Sequence, residues 1–259
     1  MFTPIRDALV VKFGNIGSVK YFLTDYEQAV INLIQPVFLE TVVKGCSFHF
    51  RQAVIRRVNQ EGLKTSYDAG GDPTIRGWIR EILALPLLPA SAIPFAWQRL
   101  RSPPPNTDLA TNLKLLAFAT YFENTWKVCQ LSTEHVEPLS DHNGPRTTNL
   151  AEGWHNALNT SLRVSHPSMR SFLDWLQRCQ HTVQCCDIPL AAGRRPKSQR
   201  ASYRNLDEKI MKVKVILSQR IGPIFAYTSL QPEDWRQFAD ELSLYLQYTS
   251  YLILGDGNI

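Results

Sequence analysis

Val19-Lys-Tyr-Phe-Leu-Thr-Asp25 and Thr41-Val-Val-Lys-Gly-Cys-Ser-Phe-His49 are two short apolar runs, each leading into polar residues. The first, over residues 19–24, is compact and aromatic and reads as a buried strand with Asp25 at its carboxyl end. A helical pattern follows through Val30, Ile31 and Ile34 and is closed by Pro36. The second run, over 41–45, is another strand, passing through Cys46 and His49 into a helix that carries Val54, Ile55 and Val58. Strand, helix, strand, helix is an α/β pattern, and ligand sites in such sheets gather at the carboxyl ends of the strands. Upstream, residues 2–13 form a short amphipathic helix candidate with Ile5, Leu9, Val10 and Phe13 on one side, ended by Asn15-Ile-Gly17.

Beyond Pro73 the period changes to a helical one. Ile75, Trp78, Ile79, Ile82 and Leu83 recur at helical spacing, 94–100 begins a second helix, and 109–126 is a third. The run Ser102-Pro-Pro-Pro-Asn106 is a loop. Segment 66–145 therefore reads as a large helical insertion. Arg146-Thr-Thr-Asn-Leu-Ala-Glu-Gly-Trp-His-Asn-Ala-Leu-Asn159 then starts a helix that splits into two faces. Leu150, Trp154, Ala157, Leu158 and Leu162 form an apolar stripe expected to be buried. Asn149, Glu152, Asn156, Asn159 and Arg163 form a stripe of amides around one acid. Such a stripe suits a metal ion or a phosphate, and it also suits a solvated helix face. Thr147 or Thr148 is placed to cap this helix. Helices are further expected over 168–185, 206–220 and 233–252, the last with Trp235, Phe238, Leu242 and Leu246 in register.

Composition narrows the classes. The chain has 259 residues, of which 44% are hydrophobic and 10% aromatic, enough for a real core. No run approaches a membrane span, since stretches such as 82–88 are short and broken by Pro86 and Pro89. The first residues lack the basic start and apolar block of a secretory signal, which points to an intracellular protein. Five cysteines at irregular spacing fit reduced thiols or a metal site better than a disulfide framework. The net charge of +5 leans mildly towards an acidic partner. Arg51, Arg56, Arg57 and Lys64 cluster in one segment, and Arg194, Arg195, Lys197, Arg200 and Arg204 in another. The second cluster reads as an exposed loop, serving as a nuclear-localisation patch, a phosphate contact or a plain linker.

Two carboxylates stand out. Asp25 and Glu152 are about 125 positions apart in sequence, yet a strand end and a helix face can converge in a fold. Two acids brought together raise each other's pKa unless a cation sits between them. Polynucleotidyl transfer uses such carboxylates to hold divalent metals that activate the attacking oxygen and stabilise the leaving one, and hard oxygen ligands suit Mg or Mn. An Asp after a strand also serves simply as a helix cap. Cys46 and His49 have half of a zinc-site spacing, and no downstream pair among His181, Cys185 and Cys186 completes it convincingly. The other reading is a buried Cys and a partnered His.

Taken together, Thr24-Asp-Tyr-Glu27, Lys44-Gly-Cys-Ser-Phe-His49 with Arg51-Gln52 and Arg57-Val58, and Pro145-Arg-Thr-Thr-Asn149 with Glu152-Gly-Trp-His-Asn156 and Leu158-Asn159 resemble the MULE (Mutator-like element) transposase domain. The versions paired with FLYWCH zinc fingers are the closest in pattern, and the resemblance covers roughly residues 5–180. It implies an RNase H-like fold and DDE-type cleavage and strand transfer at transposon ends, with Mg or Mn as cofactor, a nuclear location and a homo-oligomeric assembly. Asp25 would be the second acid and Glu152 the third, with Cys46 and His49 as the family's CxxH motif. Arg51, Arg56, Arg57, Arg146, Asn149, Asn156, Arg194, Arg195, Lys197 and Arg200 are the expected DNA contacts.

In that fold the first acid lies on the first of three antiparallel strands, which precede the helix placed here at 2–13. No residues of this sequence match them, and Asp7 falls on that helix. The expected architecture is thus an α/β, RNase H-like core lacking its first three strands, with a large helical insertion and a helical C-terminal tail. Residues 1–65 supply the remaining α/β segment, 66–145 the insertion, 146–187 the third-acid helix and its successor, and 188–259 the basic loop and last helices. With one acid missing, strand transfer should fail. The alternative function is a non-catalytic, domesticated or relic protein that binds DNA or a protein partner.

Overall fold

The computed structural model describes residues 3–14, 19, 21–34, 36–39, 41–88, 92–105, 108–126, 148–162, 167–191, 201–225, 240 and 243–249. Two strands, β1 (Tyr21–Thr24) and β2 (Val42–Gly45), pair in parallel with Tyr21 opposite Val42 and Thr24 opposite Gly45. Helix α2 (Gln28–Ile34) joins them, as a parallel pair requires. Its Ile31 and Ile34 pack with Phe38 and Val43 in a small cluster of their own, where Phe22 and Phe38 lie 4.8 Å apart. The strands are four residues each, Tyr-Phe-Leu-Thr and Val-Val-Lys-Gly. Helix α1 (Thr3–Phe13) precedes them, and its Val10 is exposed.

Helix α3 (Ser47–Gln60) follows β2 directly and buries Phe50, Val54 and Val58, spaced four apart on one face. Gly62 ends this segment at φ +70°, a left-handed conformation that glycine adopts without a Cβ penalty. The short α4 (Lys64–Tyr67) leads to α5 (Pro73–Ala84). Asp72 caps α5 by accepting from the Thr74 amide at 2.8 Å and the Ile75 amide at 3.3 Å, while Pro73 occupies the first turn, where no amide donor is needed. A single 3-10 turn over Leu85–Leu87 and helix α6 (Ile93–Leu100) come next. Helix α7 (Leu109–Trp126) is capped by Asp108, whose carboxylate accepts from Ala110 and Thr111 and is held below the usual carboxylate range mainly by the Thr111 hydroxyl.

These helices share one core. Phe50, Val54 and Val58 of α3 meet Ile75, Ile79 and Ile82 of α5, Trp97 and Leu100 of α6, and Leu115, Phe118 and Phe122 of α7. Trp97 is fully buried with its ring 4.9 Å from Phe122, and the Trp78 indole donates to the Leu100 carbonyl at 2.8 Å. The segment read as an insertion therefore builds the same core as α3. Val213 and Leu217 of α10 (Ala201–Phe225) join it, as do Tyr245 and Leu246. Of the expected last helix, Leu246 is buried in register, whereas Trp235, Phe238 and Leu242 lie outside the described residues. The described chain is thus mainly helical around a small two-stranded parallel sheet.

The chain splits into two compact units, Met1–Thr147 with Leu206–Ile259, and Thr148–Asn205. The second holds α8 (Asn149–Leu162) and α9 (Met169–Ala191). Their main contact is Trp154 against the buried Trp175, ring centroids 5.1 Å apart. The burial expected for the apolar stripe of α8 is corrected here: within this unit Trp154 remains 42% exposed, Ala157 is exposed, and Leu158 and Leu162 are half-buried. Among the described residues of this unit, α9 covers the side of α8 that touches it. Helix α9 also runs past the expected end near Cys185, through Pro189, because a proline in the last turn sacrifices a bond only close to the helix end.

Two tyrosines, Tyr245 buried and Tyr26 half-buried, give the first unit an alkaline limit. Burial raises the Tyr245 phenol above its ordinary range while its hydroxyl donates to the Leu87 carbonyl at 3.0 Å. Burial, and secondarily Cys46, does the same to Tyr26. A raised folded-state pKa contributes stability that is complete below the unfolded value of about 10 and is lost as pH rises above it. Alkaline unfolding should therefore begin above about pH 10, and Tyr245→Phe should move its onset upward. Circular dichroism alongside tyrosinate absorbance tests this. Full tyrosinate formation near pH 10 with the fold intact would refute it.

Candidate active site

The carboxyl ends of β1 and β2 lie side by side and bring the first group of predicted residues together. Thr24 is opposite Gly45, and the Cys46 amide donates to the Thr24 carbonyl at 2.7 Å. Asp25 follows Thr24 on the one strand, while Cys46 and, one turn on, His49 follow Gly45 on the other. Asp25 is exposed to solvent. It does not belong to α2, which starts at Gln28, and the amides of Val30 and Ile31 bond instead to the Glu27 carbonyl.

The conformation behind Asp25 is unusual. Tyr26 adopts φ +71°, the left-handed region that costs a non-glycine residue roughly 1–2 kcal/mol. This turn swings its ring back over Gly45, where a β-carbon would overlap the ring. The ring then packs edge-on against Trp126 at 5.0 Å, and Trp126 packs edge-on against Phe50 at 4.7 Å. Asp25 is thereby held outward by a neighbour locked into the core. Apolar periodicity carries no signal for a left-handed residue, so Tyr26 was not legible as part of the site.

Cys46 is completely buried as a free thiol and precedes the first turn of α3. His49 is half-buried, with its ring 5.4 Å from that of Phe48. Among the described residues, no group of three or more His, Cys, Asp or Glu side chains is arranged to hold a metal ion. Cys46 and His49 alone would account for at most two of the four ligands that structural zinc takes. Of the downstream candidates, His181 is exposed on α9, and the side chains of Cys185 and Cys186 lie outside the described residues.

Glu152 occupies the first turn of α8 in the second unit. Thr148 stands just before the helix, its carbonyl accepting from the Glu152 amide and its hydroxyl donating to the Glu152 carboxylate, both at 3.0 Å. The carboxylate is exposed, oriented by this bond and favoured by the positive end of the helix dipole. Asn156 and Asn159 are exposed one and two turns further on. Asn149 is the first residue of α8, and its side chain, like those of Leu150 and Arg163, lies outside the described residues.

The predicted cations divide into three sorts. Arg56 is exposed on α3. Arg57 pairs with Glu61 one turn on and lies over the Tyr121 ring at 4.3 Å, so it fastens α3 to α7. Arg51 is half-buried and close to Tyr67. Arg146, Arg194, Arg195, Lys197 and Arg200 lie outside the described residues, while Arg204 is exposed on α10. The chain matches no protein-family profile, no curated protein and no solved structure.

Proposed function

We propose that this chain is a transposase-domain protein of the MULE type that binds duplex DNA, with Asp25 and Glu152 each a carboxylate ligand for Mg or Mn. The observation that supports it most is the parallel β1–β2 pair, with Asp25 directly after β1 and the Cys46–His49 motif directly after β2. That is the order in which the resembling motifs occur. An RNase H-like reading takes β1 and β2 as parallel strands of a larger sheet, with α2 as their crossover. Both carboxylates are exposed hard-oxygen donors, which fits Mg or Mn. When bound, such an ion activates the attacking oxygen and stabilises the leaving one. The reading includes nuclear location and self-association, because transposition joins two DNA ends. No helix among the described residues is long and apolar enough to cross a membrane.

The matching motifs supply a second and a third acid and no first. We therefore expect these 259 residues to bind DNA without completing strand transfer. Fluorescence anisotropy with a duplex of arbitrary sequence measures the binding. Affinity should fall about 10³-fold between roughly 50 and 200 mM salt, and Arg56→Gln should lower the slope of log affinity against log salt by about one. Absence of binding at the lowest salt would contradict the proposal. So would Mn-dependent nicking that survives in both Asp25→Ala and Glu152→Ala.

A further inference from the structure

Pro73, Gly77 and Glu81 stand four apart on α5, one above the other on a single helix face. Gly77 leaves a gap in that ridge. A glycine inside a helix weakens it relative to alanine. A β-carbon at Gly77 would meet no atom within 4 Å, so packing does not require the glycine. What the missing side chain leaves open is part of a cavity of about 410 Å³, a size that suits a small molecule. Among the described residues its walls are mainly apolar, with Trp78, Leu100 and Pro104 contributing beside the ridge. The Trp78 indole N–H is taken by the Leu100 carbonyl, so the ring offers the cavity apolar surface.

Two charged side chains line this cavity, Glu81 and Arg99, and they form an ion pair with each other. Their exposure is unequal. The Glu81 side chain is 10% exposed and its carboxylate accepts from Arg99 Nη2, whereas the Arg99 side chain is 39% exposed. A guanidinium has five N–H donors, more than one carboxylate oxygen takes up. Glu81 thus fixes Arg99 in place, and the accessible charge at the cavity is the cation. A cation beside apolar walls suits an anion with an apolar body, since a planar guanidinium matches a carboxylate in geometry. We propose that the cavity binds a small monocarboxylate carrying one apolar group, with the carboxylate on Arg99 and the apolar group beside Trp78 and Leu100 in the space left by Gly77. A cationic ligand would need Glu81, which is already paired and nearly sealed. The site does not depend on the transposase reading or on Asp25 and Glu152.

The test uses the full chain and 3-phenylpropionate, titrated by nuclear magnetic resonance at constant ionic strength. Native protein should bind it with a Kd of about 1 mM or tighter. The neutral 3-phenylpropionamide should bind at least about tenfold more weakly, because it forfeits the charge-assisted bonds to Arg99. Gly77→Leu puts a side chain into the cavity from a position with room for its β-carbon, and replaces glycine by a strong helix former. It should keep at least native thermal stability while losing at least about tenfold in affinity. Arg99→Gln should weaken binding as much. That variant leaves Glu81 buried and unpaired, so Glu81→Gln/Arg99→Gln carries the comparison should the single variant fail to fold. Arg56→Gln, on α3 and outside the cavity, should bind the acid as the native protein does. No binding by the native chain, equal affinity for acid and amide, or native affinity in Gly77→Leu or the Arg99 variants overturns the site.

Discussion

Gly45→Ala is expected to destabilise the protein by about 3 kcal/mol, at the upper end for overpacking a filled position. The added β-carbon would fall within the Tyr26 ring. An exposed tyrosine would swing aside at little cost. This one has little freedom to do so, because Trp126 blocks its edge at 5.0 Å and is itself held against Phe50. Its backbone already sits at φ +71°. Moving β2 instead would disturb the pairing of Gly45 with Thr24 and the bond from the Cys46 amide to the Thr24 carbonyl. Urea denaturation of the native protein, Gly45→Ala, Tyr26→Ala and the double variant checks the mechanism. With the ring removed, the alanine should cost less than about 1 kcal/mol, which gives a large coupling energy. Additive effects would show that the Tyr26 ring is not what fills the space over Gly45.

That pair of residues also shows where sequence reasoning runs out. The strands at 21–24 and 42–45 were legible because each is a short apolar run bounded by polar residues. Helix α7 was legible because its apolar residues keep helical period over 109–126. The juxtaposition of Asp25 with Cys46 and His49 was legible as soon as both runs were read as strands of one sheet. The left-handed Tyr26 was not, since nothing in its identity announces a positive φ. Nor was the fate of Trp154, whose tryptophan identity predicts burial, while it meets Trp175 of α9 and stays 42% exposed. Arg57 sits in a basic run, yet is occupied by Glu61 and Tyr121.

The functional account takes Asp25 and Glu152 each as a carboxylate ligand for a divalent ion. Each has an exposed carboxylate, one turned outward by the Tyr26 lock and the other oriented by Thr148. Removing either carboxylate should be severe, because even the partners that merely orient metal ligands carry about 10–100-fold in affinity. The direct measurement is Mn binding by electron paramagnetic resonance, on the native chain, Asp25→Asn, Glu152→Gln and the double variant. We expect each single variant to lose at least about 100-fold in affinity, and the double variant to lose at least as much. Native Mn affinity in the single variants would contradict the account.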